Sequence, residues 1–190
     1  QKLFGLDRTG AEPAPTRAGQ PLRPFTIPNF IGYLRILGIP LFFYLVFEDE
    51  RAAAAVIFFL IAGGDYVDGF LARVTGQYSR LGALMDPVID RLTILSGLIA
   101  CWYYDSLPKW LLVLLLAREA ATLLLARWGL SHGVDIEVNW FGRVAVFPVM
   151  LALFLGLVMD GWIPAVLLAV GILLGIIATY LYARVGRDRI

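Results

Sequence analysis

The chain has 190 residues, of which 59% are hydrophobic, and its mean hydropathy is +0.76. This apolar share exceeds that of ordinary water-soluble domains, and the length allows one domain. The net charge of +1 provides no basis for a nucleic-acid-binding surface. We expect the single cysteine, Cys101, to be a small buried side chain. His132 has no second His or Cys nearby for a zinc site.

The first 24 residues differ from the rest of the chain because they are rich in Pro, Gly, Ala and charged residues. We expect residues 1–24 to be a cytoplasmic lead-in, either a linker or a short surface helix, and residues 25–190 to form a membrane domain. The lead-in contains no apolar segment of the kind found in a signal peptide. Because the chain begins at Gln1, we also expect a fragment or a processed form.

Six apolar segments follow, each about 20 residues long, which is the length of helix that crosses ~30 Å of hydrocarbon. A turn and helix-start signal, Thr26-Ile27-Pro28-Asn29, comes directly before the first of them. The segments lie at residues 30–47, 52–72, 82–104, 109–127, 141–159 and 162–182. They predict an all-α integral membrane protein with six transmembrane helices, and the short connections predict that successive helices run antiparallel.

The basic residues predict the orientation of these helices, since loops rich in Lys and Arg usually stay in the cytoplasm. If the N-terminus is cytoplasmic, the outer loops carry only Arg51 and Lys109. The inner segments then carry Lys2, Arg8, Arg17, Arg23, Arg73, Arg80, Arg127, Arg143, Arg184, Arg187 and Arg189. We therefore expect a multi-pass protein of the cytoplasmic membrane with both termini in the cytoplasm. The loop between the second and third helices would face the same side.

Four aspartates lie where the second helix ends and the third begins, in the stretch DYVDGFLARVTGQYSRLGALMDPVID at residues 65–90. Asp65 and Asp68 are three residues apart, and Asp86 and Asp90 are four apart. Each pair therefore lies on one face of its helix. Carboxylates next to hydrocarbon are costly, and four that face one another repel strongly unless cations lie between them. Hard oxygen ligands of this kind predict a site for Mg²⁺, Mn²⁺ or Ca²⁺ at the cytoplasmic membrane surface.

Small and basic residues lie among the aspartates. The small residues are Gly69, Ala72, Gly76 and Gly82, and the basic residues are Arg73 and Arg80. Small residues let a bulky ligand approach the backbone, and arginines attract phosphate, so the combination predicts a diphosphate bound through metal. Each residue also has a simpler interpretation, as helix packing, as a helix-end charge or as a positive-inside anchor.

The same stretch resembles the signature of the CDP-alcohol phosphotransferases, which reads D-x-x-D-G-x-x-A-R, then eight residues, then G-x-x-x-D-x-x-x-D. Every fixed position is matched, by Asp65, Asp68, Gly69, Ala72, Arg73, Gly82, Asp86 and Asp90. Because all the specified residue types stand at the required offsets, the match is specific. The six-helix layout extends the resemblance from the signature to most of the chain.

The resemblance implies roles for these residues. Asp65, Asp68 and Asp86 would be ligands of one or two Mg²⁺ or Mn²⁺ ions. Asp90 would be the general base that takes the proton of an acceptor hydroxyl, or else a fourth metal ligand. The pocket for the CDP group would include Asp65, Asp68, Gly69, Ala72, Arg73 and Gly82, with Asn29 as a further contact. The resemblance also implies a homodimer that uses CDP-diacylglycerol as the donor and releases CMP.

The acceptor is defined less narrowly than the donor. The features that resemble the branch making phosphatidylglycerol phosphate or cardiolipin are Thr26-Ile27-Pro28-Asn29, Arg35, Asp86-Pro87 and Ala117-Arg118-Glu119. Arg35 and Arg118 are candidate acceptor contacts or structural charges paired with acids, and Arg143 is a third candidate. Arg91 and Arg143 stand where the glycerol 3-phosphate branch commonly has lysine, which weakens the case for glycerol 3-phosphate. Glycerol 3-phosphate and phosphatidylglycerol are therefore about equally expected as acceptors, with inositol phosphate as a third option.

A cation transporter or channel is the alternative outside this family, because such proteins also place acids within helices. A transporter would more naturally hold them near the middle of the bilayer, on broken helices. The aspartates of this chain are predicted at one face of the membrane, which favours the phosphotransferase.

Overall fold

The chain is all-helical in the residues that the computed structural model describes, which are 26–75, 80–131 and 140–187. The helices are α1 (Ile27–Phe47), α2 (Arg51–Thr75), α3 (Arg80–Tyr103), α4 (Lys109–Ser131), α5 (Trp140–Val158) and α6 (Trp162–Arg187). Each predicted apolar segment coincides with one of them, so the all-α prediction is confirmed for this part of the chain. The predicted lead-in at residues 1–24 lies outside the described residues, as do Gly76 and His132.

The start of α1 follows from the chemistry of its first residues. Thr26 is the N-cap, and its Oγ1 accepts a hydrogen bond from the backbone N of Asn29 at 3.3 Å. Pro28 lies in the first turn, where its missing N–H is no loss because that donor would have no helical partner. The predicted helix-start signal is confirmed, and it places Asn29, which is 2% exposed, at the buried entry to the helix.

Among the described connections, short turns join α1 to α2, α3 to α4 and α5 to α6, and each contains a residue with positive φ. Asp49 (φ 62°) lies between α1 and α2, Asp105 (φ 52°) between α3 and α4, and Gly161 (φ 147°) between α5 and α6. Aspartate tolerates the left-handed region better than most side chains, and glycine adopts positive φ freely. Because α1 and α2 pack together across so short a turn, they run antiparallel, as do α5 and α6.

Two compact units divide the chain, residues 1–93 and 94–190, with the boundary inside α3. In the first unit, glycines on α1 allow its neighbours to approach closely. A Cβ at Gly38 would lie 2.9 Å from Cγ1 of Ile61 on α2. Gly32 lies against side chains of the first part of α3 in the same way. The sequence of α1 therefore permits contact with α2 on one side and with α3 on another.

In the second unit, α5 and α6 pack at Gly171, where a Cβ would lie 2.7 Å from Cγ2 of Val149. Cys101, near the end of α3, is fully buried, and its Sγ donates a hydrogen bond to the carbonyl O of Leu153 in α5 at 3.5 Å. A Cβ at Gly156 would lie 3.1 Å from the same Sγ. The prediction that Cys101 is a small buried side chain is confirmed.

Large apolar side chains also cover the outer surface of the described helices. Leu37, Leu124 and Phe147, for example, are 68%, 68% and 70% exposed. Water does not favour so much exposed apolar surface, whereas lipid covers it readily. Within the described residues, three helices are long and apolar enough to cross a membrane, at Asn29–Phe47, Arg51–Leu71 and Trp162–Tyr180. The described residues thus indicate a membrane protein, and the total of six spans stays a prediction.

Candidate active site

The four aspartates of the signature lie on two consecutive helices. Asp65 and Asp68 lie in the last part of α2, and Asp86 and Asp90 lie in the first part of α3. Spacings of three and four residues within a helix place both members of each pair on the same side of its axis. The structure describes the backbone of Asp65 and Asp68 but not their side chains. The predicted contact of all four carboxylates with a metal therefore stays a prediction.

Asp90 forms an ion pair with an arginine from α1. Nη2 of Arg35 lies 2.8 Å from Oδ1 of Asp90, although the two residues are 55 positions apart in the sequence. The side chain of Arg35 is 2% exposed, whereas that of Asp90 is 34% exposed. The carboxylate of Asp90 therefore lies between a buried cation on one side and accessible space on another.

Arg35 also contacts α2. Its Nε donates a hydrogen bond to the carbonyl O of Ile61 at 2.8 Å. In an α-helix, the carbonyl of residue 61 also accepts the N–H of residue 65, so this contact lies in the helical turn that leads to Asp65. One guanidinium thus connects that turn of α2 with Asp90 on α3. Of the two predicted roles of Arg35, the described contacts correspond to a charge paired with an acid.

Gly64 makes room for Arg35, a role that was not predicted from the sequence. A Cβ at Gly64 would lie 2.7 Å from Cδ and 2.9 Å from Cγ of Arg35, which is closer than real Cβ contacts. At the neighbouring Gly63, no described atom beyond its chain neighbours and the nearby backbone of α2 lies within 4 Å of the position of a Cβ. A signal was available, because two adjacent glycines are unfavourable inside a helix and suggest a close approach.

The predicted CDP pocket is described in part. Asn29, Gly69 and Gly82 are described with their burial, whereas Ala72 and Arg73 are described by their backbone positions in α2 alone. Apart from its chain neighbours and the nearby backbone of its own helix, no described atom lies within 4 Å of the position that a Cβ would take at Gly69. This space is compatible with a ligand against the backbone of α2, which is the role that the signature implies for a glycine.

Arg118, which is one of the predicted acceptor contacts, lies in the second unit. Its Nη1 forms an ion pair with Oε1 of Glu119, and the two side chains are 10% and 7% exposed. The guanidinium also lies against the backbone of Gly175 on α6, and its Nε is buried without a hydrogen-bond partner in the described part of the chain. For Arg143, the structure describes only the backbone, which lies in the first turn of α5.

A divalent metal ion fits this set of donors by chemistry. Carboxylate oxygens are the ligands that Mg²⁺ and Mn²⁺ prefer, and the signature supplies four carboxylates on two adjacent helices. Among the side chains that the structure describes, which exclude those of Asp65 and Asp68, no group of three or more His, Cys, Asp or Glu could hold a metal ion. Of the four aspartates, the structure describes the side chains of Asp86 and Asp90.

These features define a helical membrane protein that carries four aspartates on two consecutive helices. The sequence profile of the CDP-alcohol phosphatidyltransferases matches residues 25–177, and the chain belongs to this family. The family resemblance inferred from the signature is thereby confirmed. Enzymes of this family use a donor that carries CDP and an alcohol acceptor, and they work with a divalent metal ion.

Several curated proteins are similar to the chain. The cardiolipin synthase (CMP-forming) of Streptomyces coelicolor is 41% identical over 150 residues, which covers 74% of this chain and 70% of that protein. A Mycobacterium tuberculosis protein that is provisionally named a cardiolipin synthase is 34% identical over 133 residues, or 68% of this chain and 63% of that protein. The CDP-diacylglycerol–glycerol-3-phosphate 3-phosphatidyltransferase of Pectobacterium atrosepticum is 35% identical over 140 residues, or 68% and 75%.

The names of these relatives describe the synthesis of membrane phospholipids. A membrane location agrees with these names and with the exposed apolar surface of the helices. The chain is accordingly a transferase of phospholipid synthesis and a membrane protein. The alternative of a cation transporter, which acids within helices alone would allow, is not favoured by any of these similarities.

Proposed function

We propose that the chain transfers the phosphatidyl group of CDP-diacylglycerol to a hydroxyl acceptor and releases CMP. The observation that carries this proposal is the complete signature on α2 and α3, in a chain that belongs to the CDP-alcohol phosphatidyltransferases. The names of the relatives support CDP-diacylglycerol as the donor. In the transfer, the acceptor oxygen forms a bond to the lipid-linked phosphorus, the bond from that phosphorus to the CMP oxygen breaks, and the acceptor proton leaves.

The aspartates divide this work between them in the proposal. Asp65, Asp68 and Asp86 hold one or two Mg²⁺ or Mn²⁺ ions, which supply positive charge to the diphosphate when bound. Asp90 takes the proton of the acceptor hydroxyl. The partial exposure of Asp90 supports this role, because a general base must be within reach of the acceptor. Gly69, Ala72, Arg73 and Gly82, together with Asn29, contact the CDP group.

Phosphatidylglycerol is the acceptor that we favour, which would make cardiolipin the product. The Streptomyces coelicolor relative supports this choice, since it shares 41% identity, against 35% for the Pectobacterium atrosepticum enzyme. Arg91 and Arg143 also support it, because the glycerol 3-phosphate branch commonly has lysine there. Glycerol 3-phosphate is the second candidate, supported by the Pectobacterium atrosepticum relative. Arg118 and Arg143 stay proposed acceptor contacts.

We also propose an orientation for the protein in the membrane. Residues 25–190 form one membrane domain with six spans, both termini are cytoplasmic, and the active site faces the cytoplasm. The distribution of basic residues supports this orientation, and the exposed apolar surface supports the membrane location. We also propose a homodimer, as the family resemblance implies. Cysteine labelling of single sites from each side of sealed vesicles tests the orientation.

One assay tests the proposed reaction. Purified protein receives labelled CDP-diacylglycerol, Mg²⁺ or Mn²⁺, and one acceptor at a time, and both the lipid product and CMP are identified. We expect CMP and cardiolipin with phosphatidylglycerol. Formation of phosphatidylglycerol phosphate from glycerol 3-phosphate instead would move the function to the second candidate. The absence of CMP with every acceptor, from protein that is folded and binds CDP, would overturn the proposal.

A further inference from the structure

We propose that Arg35 is a positioning residue for Asp90, which it holds at a fixed place relative to the turn of α2 that leads to Asp65. This inference rests on the proposed function, in which Asp90 is the general base. It assigns Arg35 a task that differs from contact with the acceptor. It also assigns Gly64, which no motif identifies, the task of making room for the arginine.

The burial of Arg35 is the first step of the argument. A guanidinium that is almost fully removed from solvent is costly unless it is paired and hydrogen-bonded. The side chain of Arg35 is 2% exposed, and it contacts both Oδ1 of Asp90 and the carbonyl O of Ile61 at 2.8 Å. If Asp90 turned away, the buried guanidinium would lose this ion pair, so the contact restrains the carboxylate.

The geometry of the guanidinium is the second step. Its nitrogens lie in one plane at fixed angles, so the contact of Nε with Ile61 also fixes the direction of Nη2. Nη2 is the atom that donates to Asp90. Through this one rigid group, the backbone of α2 therefore restrains the position of Asp90 on α3. A lysine could not do this, because it has a single nitrogen on a flexible stem.

The place of these contacts is the third step. The Ile61 carbonyl belongs to the helical turn that ends at Asp65, and Asp65 is a proposed metal ligand on the same helix. Asp90 takes its proton from an acceptor that must line up with the diphosphate. Displacement of a catalytic group by about 1 Å can reduce a rate by roughly 100-fold. A rigid connection between the base and α2 thus has a direct use in the transfer.

Gly64 supplies an independent observation and a matched pair of variants. A Cβ there would overlap the stem of Arg35, at 2.7 Å from Cδ, whereas a Cβ at Gly63 would meet no described atom within 4 Å. Gly64→Ala and Gly63→Ala make the same chemical change at adjacent positions of one helix. Both raise helix propensity equally, so any difference between them reports the space next to Arg35.

The test measures steady-state kinetics of the full chain with CDP-diacylglycerol and the acceptor that supports turnover. We expect Gly64→Ala to lower kcat by about 10-fold or more, with the acceptor KM and the metal-dependent affinity for CDP within about twofold of the unmodified protein. Gly63→Ala should stay within about twofold in all three quantities. Arg35→Lys, which keeps the charge but not the fork, should behave like Gly64→Ala and is the second variant if Gly64→Ala does not fold.

Two results would overturn the inference. One is a rise in the acceptor KM with kcat unchanged in Arg35→Lys, which would indicate direct contact with the acceptor. The other is equal kinetics of Gly64→Ala and Gly63→Ala, which would mean that the placement of Arg35 has no effect on turnover. A general loss of folding is separated from these results by thermal unfolding and by CDP affinity, which are measured on every variant.

A double-variant cycle of protein stability tests the ion pair between Arg35 and Asp90 without relying on turnover. Unfolding temperatures are compared for Arg35→Gln, Asp90→Asn and the double variant. We expect the double variant to be no less stable than Arg35→Gln alone, because each single change already breaks the pair. If the double variant lost the sum of the stability lost by the two single variants, this would contradict the proposal that Arg35 restrains Asp90. If the unmodified protein released no CMP with any acceptor, the proposed function would fail, whereas this cycle would still decide whether Arg35 restrains Asp90.

Discussion

Gly175 of α6 lies against the guanidinium of Arg118 in α4, so closely that a Cβ at Gly175 would be 2.5 Å from Nε of the arginine. The arginine and Glu119 form a buried ion pair at the same place. This part of the second unit thus combines a buried pair of charges with a glycine that makes room for it.

Gly175→Ala should destabilise the protein, because the methyl group would displace a charged side chain that is nearly buried. Overpacking of this kind typically costs about 1–3 kcal/mol in the free energy of unfolding. Thermal unfolding in detergent measures the effect, with Gly63→Ala as the control, since no described atom is near that position. Equal unfolding temperatures for the two variants would contradict the close packing at Gly175.

Glu119→Gln should destabilise the protein more than a surface change would, because it removes one partner of a buried pair and leaves Arg118 uncompensated. Breaking such a pair typically costs about 3–5 kcal/mol. A double variant, Arg118→Met with Glu119→Gln, removes both charges and should recover most of the stability. The unfolding temperatures of Glu119→Gln and of the double variant measure these effects. A double variant no more stable than Glu119→Gln would contradict the cost of the uncompensated charge.

The same double variant also bears on the acceptor. If Arg118 serves only in the ion pair, activity should return together with stability. If Arg118 contacts the acceptor phosphate, stability returns while the acceptor KM stays raised. Measuring both quantities on one protein separates the two interpretations that the sequence leaves open for this arginine.

Asp65→Asn, Asp68→Asn and Asp86→Asn should each abolish turnover and weaken metal-dependent binding of CDP, because each removes a charged ligand. Asp90→Asn should lower turnover by about 100-fold or more while CDP still binds, since the loss of a general base affects the chemical step. Titration calorimetry with CDP and Mn²⁺ measures the binding. Loss of CDP binding in Asp90→Asn would indicate a fourth metal ligand instead of a base.

Removal of divalent ions with EDTA should stop the reaction, and addition of Mg²⁺ or Mn²⁺ should restore it. The physical reason is the negative charge of the diphosphate beside four aspartates, which only cations can neutralise. The release of CMP is the measurement, and the control is the unchanged unfolding temperature of the protein after EDTA is removed. Turnover that persists in EDTA would exclude the proposed metal.

The six helices could be predicted because the information for them is local. Runs of about 20 apolar residues form helices in a membrane regardless of what lies next to them. Their ends were predicted less accurately, since α4 continues to Ser131 and α6 to Arg187, beyond the predicted segment ends at residues 127 and 182. The start of α1 was predicted at the right place because a cap is also a local feature, formed by Thr26 and the residues that follow it.

The sequence by itself determined that each aspartate pair lies on one face of a helix, because a spacing of three or four residues fixes that geometry. It also determined the family, since the signature depends on residue types at fixed offsets. Only the tertiary structure decided that Arg35 pairs with Asp90 and that Gly64 makes room for it. Those contacts join residues that are far apart in the chain, and they exist only after α1 packs against α2 and α3, which no local spacing specifies.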